Sequence, residues 1–392
     1  MKGYVFLSNS TKPTKEVYES RAKHSPSNVS RPCIEAALKL GYEVFLGINR
    51  KEPESIECDL PIKMFDSHTY RSLVSFTDNR IAMKNLARVI KNNNVEVIHC
   101  NTPIGGLIGR LCGKKCKVKH VIYTAHGFHF FKGAPLINNL LYKTAERIMA
   151  HWTDAIITMN QEDYENAKKF KLKNGGKVYK VHGVGISLSK YDNLVIDRIS
   201  KRKELGLSNT DIVCISAGDL VPRKNYNIAI KSIYEAANPN LHYLICGEGP
   251  KKEKLELLVS RLGLSKQVHF LGYRNDVKEL LAISDFFFFT SLQEGLSRSL
   301  MEAMALGLPV IASRIRGNVD LIEDGKGGFL CDPHSSSQFA SAILKLLSNN
   351  ELRSQMRETN LKKIKDYDIS VVEKEIMEIY SNILNPRENL NS

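Results

Sequence analysis

What most constrains this chain is a repeated alternation between short, uninterrupted apolar runs and amphipathic stretches along its length. Runs such as "VEVIHC" at 95–100 and "DIVCIS" at 211–216 are continuous rather than strictly alternating, as strands covered on both faces must be. They predict strands over 2–7, 43–48, 95–100, 119–124, 154–158 and 177–182. A second series is predicted over 211–217, 241–246, 267–271, 285–290, 308–312 and 328–331. Helical patterns fill the gaps. In 134–149, Leu136, Ile137, Leu140, Leu141, Ile148 and Met149 share one stripe, with Asn139, Lys143 and Arg147 off it, the pattern by which a helix covers a core. Strand–helix alternation at this spacing implies an α/β fold of open, doubly wound parallel sheets.

The strands form two groups of about six, and 392 residues suit two or three domains at roughly 150 residues each. The break lies near the polar stretch 187–210. We therefore expect two Rossmann-like halves, 1–188 and 189–370, whose strand ends face a central cleft. The last helical pattern, Val372, Ile376, Ile379, Tyr380 and Ile383, has no strand after it. Residues 371–392 are expected to pack back on the first half.

Charge divides unevenly. There are 56 Lys plus Arg against 42 Asp plus Glu, a net +14. Val97–Ala145 contains no acid and seven basic residues, and Asn166–Tyr191 contains no acid and seven lysines. These two stretches carry the whole surplus, and both lie in the first half. Such a field keeps a protein soluble or attracts phosphate, nucleic acid or an acidic membrane face. No nucleic-acid motif is present, and aromatic residues do not interleave with the basic runs. The eight cysteines show no paired metal-ligand spacing, and several sit in apolar runs, as reduced buried thiols do. "MKGYVFLSNS" is too short an apolar run for a signal peptide, and no window approaches the ~20 apolar residues of a membrane span. A cytosolic protein is expected.

The most specific chemistry lies in "SLQEGLSRSLMEAMALGLPVIAS" at 291–313. Glu294 ends a loop after a strand, a helix is expected from about Ser297, and Glu302 follows on its second turn. The free N–H groups of a helix start favour an anion. Carboxylates on either side suit hydroxyls, so the pair fits a ligand with phosphates in the middle and hydroxyls at both ends, as in a nucleotide sugar. A helix-end charge with an exposed Glu has the same spacing. "SAGDLVPRKN" at 216–225 places Arg223 and Lys224 at a strand end, where they could grip phosphate or form a solvated basic loop. His126, in "YTAHGFHFFKGAP" at 123–135, stands at another strand end as a potential hydrogen-bonding group or base. "DYD" at 366–368 lies between helical segments and does not read as a metal site.

Taken in order, "YTAHGFHFFKGAP", "GDLVPRKN", "CGEGP", "FLGYRNDV" and the Glu294-x7-Glu302 element resemble the retaining glycosyltransferases of family 4, which have the GT-B fold. "IHCNTPIGGLIGRL" and the segment through "AIITMNQEDYENAKKF" resemble the capsule and exopolysaccharide branch. The resemblance implies catalytic roles for His126 and Glu294, with Glu294 on the donor-sugar hydroxyls and Glu302 on the ribose. It implies that Arg223 and Lys224 clamp the diphosphate with backbone N–H groups of Gly295, Leu296 and Ser297. The backbone at Tyr273 and Arg274 would frame the base. It further implies a UDP-sugar donor, no metal or other cofactor, and retention by a front-face route. The acceptor would be an oligosaccharide, on a polyprenyl diphosphate at the inner membrane face. Two positions depart from the family pattern, Asp219 for Arg and Leu296 for Phe. The usual Gly-Gly loop is replaced by "SNSTKPTKEVYESRAKHSPSNVSRP" at 8–32.

A nucleotide-sugar epimerase shares this fold, and a basic nucleic-acid-binding protein would account for the charge; the Glu-x7-Glu element favours a transferase. The charge is then best assigned to peripheral contact with an anionic membrane surface or with a lipid diphosphate. Replacing Lys168, Lys169, Lys171 and Lys173 with Glu is expected to weaken that contact.

Overall fold

A computed structural model describes residues 1–72, 74–192 and 194–384. The chain divides into two compact units, Met1–Gly185 with the chain from Ser370 onward, and Ile186–Ile369. The sequence reading put this division at 188, three residues later. Part of its last segment, 385–392, lies outside the described residues.

The first unit holds one parallel sheet: β1 (Gly3–Leu7), β2 (Glu43–Ile48), β3 (Lys63–Asp66), β4 (Val95–Asn101), β5 (His120–Ala125), β6 (Ala155–Thr158) and β7 (Lys177–Lys180). Their order is 3-2-1-4-5-6-7. β3 is a seventh strand beyond the six expected. It is an edge strand of four residues, "KMFD", with only Met64 fully buried, so it carries no continuous apolar run.

In the second unit β8 (Ile212–Ala217), β9 (Leu241–Cys246), β10 (Val268–Gly272), β11 (Phe286–Phe289), β12 (Val310–Ser313) and β13 (Gly328–Cys331) run parallel in the order 10-9-8-11-12-13. Both sheets change winding direction beside their first strand, β1/β4 and β8/β11, and loops at such points form ligand crevices. The four phenylalanines of β11 show why the runs are continuous. Phe286 and Phe288 enter the core with Ile230, Phe339 and Ile343, while Phe287 and Phe289 enter the opposite one with Leu300, Met301 and Met304. Successive strand residues face opposite ways, and here both faces are covered.

The helix Pro103–Lys115 seats against β4 and β5 through glycines. A Cβ at Gly109 would lie 2.6 Å from Cys100 Cβ, and one at Gly113 2.6 Å from Val121 Cγ2. Between them in the chain, the fully buried Arg110 forks onto Glu146 at 2.6 and 3.2 Å. Its guanidinium also sits 3.8 Å over the Tyr123 ring.

Glu146 belongs to the helix Leu136–Ala150, and here the structure corrects the sequence reading. The apolar stripe does not cover the sheet: Leu136, Ile137, Leu140, Leu141 and Ile148 are 53–87% exposed. The side turned inward is polar. Asn139 bonds the Phe131 and Ala134 backbone, Glu146 takes Arg110, and Tyr142 packs on the core.

The helix Ile369–Leu384 closes the first unit. Tyr380 Oη lies 2.6 Å from Tyr4 Oη and 2.5 Å from His99 Nδ1. His99 Nε2 reaches Thr124 Oγ1 at 2.7 Å. Glu375 accepts from the His182 backbone N–H and meets its Nδ1 at 2.6 Å. A second correction concerns Lys173, whose ammonium donates to Asp154 Oδ2 and the Lys119 carbonyl, both at 3.1 Å. It fastens β5 to the chain before β7 rather than standing free as part of a basic patch. All eight cysteines are free thiols.

Candidate active site

Three loops at the C-terminal ends of β8, β9 and β10 are stitched by their backbones. Gly218 N–H donates to the Cys246 carbonyl at 2.9 Å, Leu220 N–H to Glu248 at 2.8 Å, and Gly247 N–H to Gly272 at 2.7 Å. Gly247 allows the closest approach. Its φ is +148°, and a Cβ there would stand 2.1 Å from the Gly218 carbonyl oxygen. "GDL" and "CGEG" are thus one built floor, not two separate turns.

From that floor Pro222–Lys224 makes one helical turn and ends on Asn225 at φ +58°. The loop after β11 pins it. Thr290 Oγ1 donates to the carbonyls of Lys224 and Asn225, and Leu292 N–H donates to that of Arg223 at 2.7 Å. This sets both cations over Glu294. Lys224 Nζ reaches Glu294 Oε1 at 2.8 Å and Arg223 Nη1 reaches the same oxygen at 3.2 Å. The side chains of Lys224 and Glu294 are only 10% and 11% exposed, against 48% for Arg223. Phe289 shields the ammonium, its ring centroid 4.6 Å away. Among the described residues, Glu294 Oε2 accepts no hydrogen bond and is open to a hydroxyl donor.

The chain on either side of Glu294 is equally fixed. Arg316 Nε donates to the Glu294 carbonyl at 3.1 Å. Gly317, at φ +82°, lies so close to Gly295 that a Cβ would be 2.3 Å from the Gly295 carbonyl oxygen. Ser297 is the N-cap of the helix Arg298–Ala305, its hydroxyl accepting from Leu300 N–H. One turn on, Glu302 pairs with Arg298 at 3.0 Å. The Tyr191 hydroxyl lies near Glu302, and burial together with the charge of that carboxylate raises the tyrosine's pKa above its ordinary value.

Sequence reasoning missed Tyr191, Arg316 and Gly317 because each acts from far along the chain. "IRGN" at 315–318 signals a turn, but not its partner.

Tyr273 and Arg274 follow β10. Tyr273 is 76% exposed. Arg274 forks onto Asp276, which also takes Lys201 at 2.8 Å, and the Asp276 carboxyl is held far below the usual range by Arg274. The guanidinium is committed inside this cluster.

His126 stands in the first unit, after β5. The residue is half-buried, and its shielded Nε2 has no hydrogen-bond partner among the described residues. Burial lowers its pKa to about 4. Burial, aided by His126, lowers that of His99 to about 3. Both are neutral imidazoles at physiological pH, able to hydrogen-bond but carrying no charge. They share a small cavity of about 20 Å³ with Asn101 and Thr124, room for about one water. The adjoining backbone is anchored by Asp163, which accepts from Phe128 N–H at 3.1 Å, and by stacked Phe128 and Phe130.

The segment 8–32 covers a separate, larger cavity of about 400 Å³. Ser8, Ser10, Ser27, Asn49, Arg50 and Ser67 are among its lining residues. Its hydroxyl-rich wall suits polar ligands where the family pattern offers glycines.

Two family models match the chain: "Glycosyl transferase 4-like" over residues 23–160 and "Glycosyl transferases group 1" over residues 197–363. The chain is 33% identical over 309 residues to the "Putative glycosyltransferase EpsD" of Bacillus subtilis, spanning 77% of this chain and 81% of that one. It is 26% identical over 344 residues to the Escherichia coli enzyme that transfers galactose from UDP-Gal to GlcNAc-diphosphoundecaprenol, spanning 86% and 89%. Among solved structures, Anabaena HepE in complex with UDP and glucose superposes with a TM-score of 0.76 at 19% identity, over 97% of this chain and 100% of that one. Sheet order, loop architecture and these likenesses agree: the chain belongs to the group 1, family-4-like glycosyltransferases and is a glycosyltransferase of the GT-B fold.

Proposed function

We propose that this enzyme moves a hexose from a UDP-sugar onto a saccharide carried by a polyprenyl diphosphate, with retention at the anomeric carbon, in the assembly of a capsule, exopolysaccharide or related surface glycan. The observation that carries the reading is the Arg223–Lys224–Glu294 group, its Lys224 and Glu294 shielded and its Arg223 open to solvent, on a loop fixed by backbone and Thr290 hydrogen bonds. Two cations against one carboxylate leave a net positive charge for a diphosphate, and Glu294 keeps one oxygen for a sugar hydroxyl. Glu302, held by Arg298, takes the ribose. The backbone of Gly295, Leu296 and Ser297 adds N–H donors, and that of Tyr273 and Arg274 frames the base. His126 offers a neutral imidazole to the transferred sugar.

In the transfer the acceptor oxygen bonds to the anomeric carbon as the bond from that carbon to the β-phosphate oxygen breaks. The acceptor proton passes to the departing phosphate on the same face, so no protein base is consumed. Arg223 and Lys224 stabilise the charge that develops there, the task a metal performs elsewhere. The relative acting on a diphosphoundecaprenol-linked sugar and the UDP-bound structural neighbour support the choice of donor and acceptor classes.

A panel of UDP-sugars read by thermal shift identifies the donor, since a ligand bound only by the folded state raises its apparent stability. Glu294→Ala and Lys224→Ala should each lower transfer by about a hundredfold or more with an unchanged circular dichroism spectrum. Full activity in Glu294→Ala would end the site assignment, and no shift with any UDP-sugar would end the donor assignment. The anomeric configuration of the product, read by NMR coupling constants, tests retention.

A further inference from the structure

A surface helix normally turns its apolar stripe to the core and its polar side to water. The helix Leu136–Ala150 does the reverse. At 100° per residue, Leu136, Ile137, Leu140, Leu141, Thr144, Arg147 and Ile148 fall on one arc, and every one of them is exposed. Asn139, Tyr142, Glu146 and Ala150 occupy the inward arc. The polar anchors are specific: Asn139 bonds backbone, and Glu146 meets a guanidinium with no exposure of its own. The helix is held by its polar side, which leaves five large apolar side chains outward.

Charge identifies what covers them. The helix has one acidic residue, Glu146, and Arg110 neutralises it on the inward side. The outward arc has Arg147 and no acid. Exposed Lys132 precedes the helix, and the segment 97–145 holds seven basic residues and no acidic one. A second copy seated symmetrically on this face would bring each basic surface against its twin, an isologous contact between like charges. An anionic lipid surface takes both features together, the apolar side chains in the acyl boundary and the cations at the headgroups. We propose that the helix Leu136–Ala150 is the element by which the enzyme enters an anionic membrane, lying in the interface with Leu136, Ile137, Leu140, Leu141 and Ile148 inserted. This deepens the functional reading and rests on its membrane-borne acceptor.

The chain's one tryptophan, Trp152, follows the helix directly, its ring beneath Lys114 Nζ at 4.2 Å. An amphipathic ring at that position reports interfacial burial. The test is co-sedimentation of the full chain with phosphatidylglycerol–phosphatidylcholine vesicles, with Trp152 emission recorded in parallel. Wild type should bind and shift to the blue, and should bind pure phosphatidylcholine vesicles at least tenfold more weakly.

Leu140→Asp with Leu141→Asp should lower vesicle affinity tenfold or more, with its thermal melt and the UDP-induced thermal shift unchanged. Leu140→Ser, at a position that packs on no core, should give a smaller loss in the same direction and guards against a misfolded double variant. Undiminished vesicle affinity in both variants would overturn the proposal. So would a wild-type dimer that the substitutions convert to monomer, since the stripe would then be covered by a second copy. Transfer to a short-chain, water-soluble diphosphate-linked acceptor separates the two readings. The variants should retain it and lose transfer to the long-chain acceptor in vesicles. A wild type that uses neither acceptor refutes the acceptor assignment, while the vesicle measurements still decide the membrane one.

Discussion

Glu294 receives Lys224 and Arg223 on a single carboxylate oxygen, and Arg274 spends its fork on Asp276 instead of facing outward. The two arginines look alike in the sequence, each beside a strand end. What separates them is a neighbour two positions away: Asp276 is within reach of the Arg274 fork, whereas Arg223 must cross to another loop. The buried imidazoles make a prediction at this scale. An unfolded chain protonates His99 and His126 near 6.5, and the folded protein does so only near 3 and 4. Between those values the unfolded state binds more protons, so stability falls as pH drops from 7 toward 4. The loss is about 1.4 kcal/mol per pH unit for each imidazole. Urea unfolding at pH 5 and pH 7 should show this difference, and His126→Gln should reduce it by about half, since His99 remains. An equal slope in the variant would remove the imidazole as the cause. His126 itself was legible as a strand-end residue beside Gly127. Its neutrality was not, because burial depends on Phe6, Met159 and Val181 from distant segments.

The helix Leu136–Ala150 depends on one ion pair with little solvent around it. Glu146→Gln strands the fully buried Arg110 without a counter-charge, and should destabilise the protein by about 3 kcal/mol in denaturant titrations. Adding Arg110→Met should restore much of that loss, since a buried apolar pair has no such penalty. If the double variant is no more stable than the single, the fork is not what holds the helix. Twelve of the thirteen strands were readable from their runs, and β3 was not because its buried side is one methionine. The helix itself was also readable, as a stripe. Periodicity locates the apolar side of a helix but carries no sign for whether that side meets core or surroundings. Here the sign is set by Arg110, 36 positions earlier. The same distance effect bears on Lys173, whose acceptors, Lys119 and Asp154, stand just before β5 and β6. A test of the basic patch is therefore sharper with Lys169 and Lys171 alone.

Two doubly wound parallel sheets follow from patterns spread over the whole molecule, which is why they were visible without coordinates, whereas the order of their strands was not. The hydroxyl-rich cavity under residues 8–32 was not, since its wall gathers Asn49, Arg50 and Ser67 from other strand ends. The closing helix gives a prediction for the molecule as a whole. A chain ending at Ile369 deprives Tyr4 and His99 of Tyr380, and His182 of Glu375. Hydrogen exchange should then rise in β1 and β4 and stay low in β8 and β11; continued protection of β1 would show that the helix is dispensable. Tyr4 and Tyr380 are 376 positions apart, which sets an order on biosynthesis. β1 waits for a partner made 376 residues after it, whereas Ile186–Ile369 is synthesised in full before that partner. The half made second is finished first. Until Tyr380 is made, the sheet of the first unit stays unsealed.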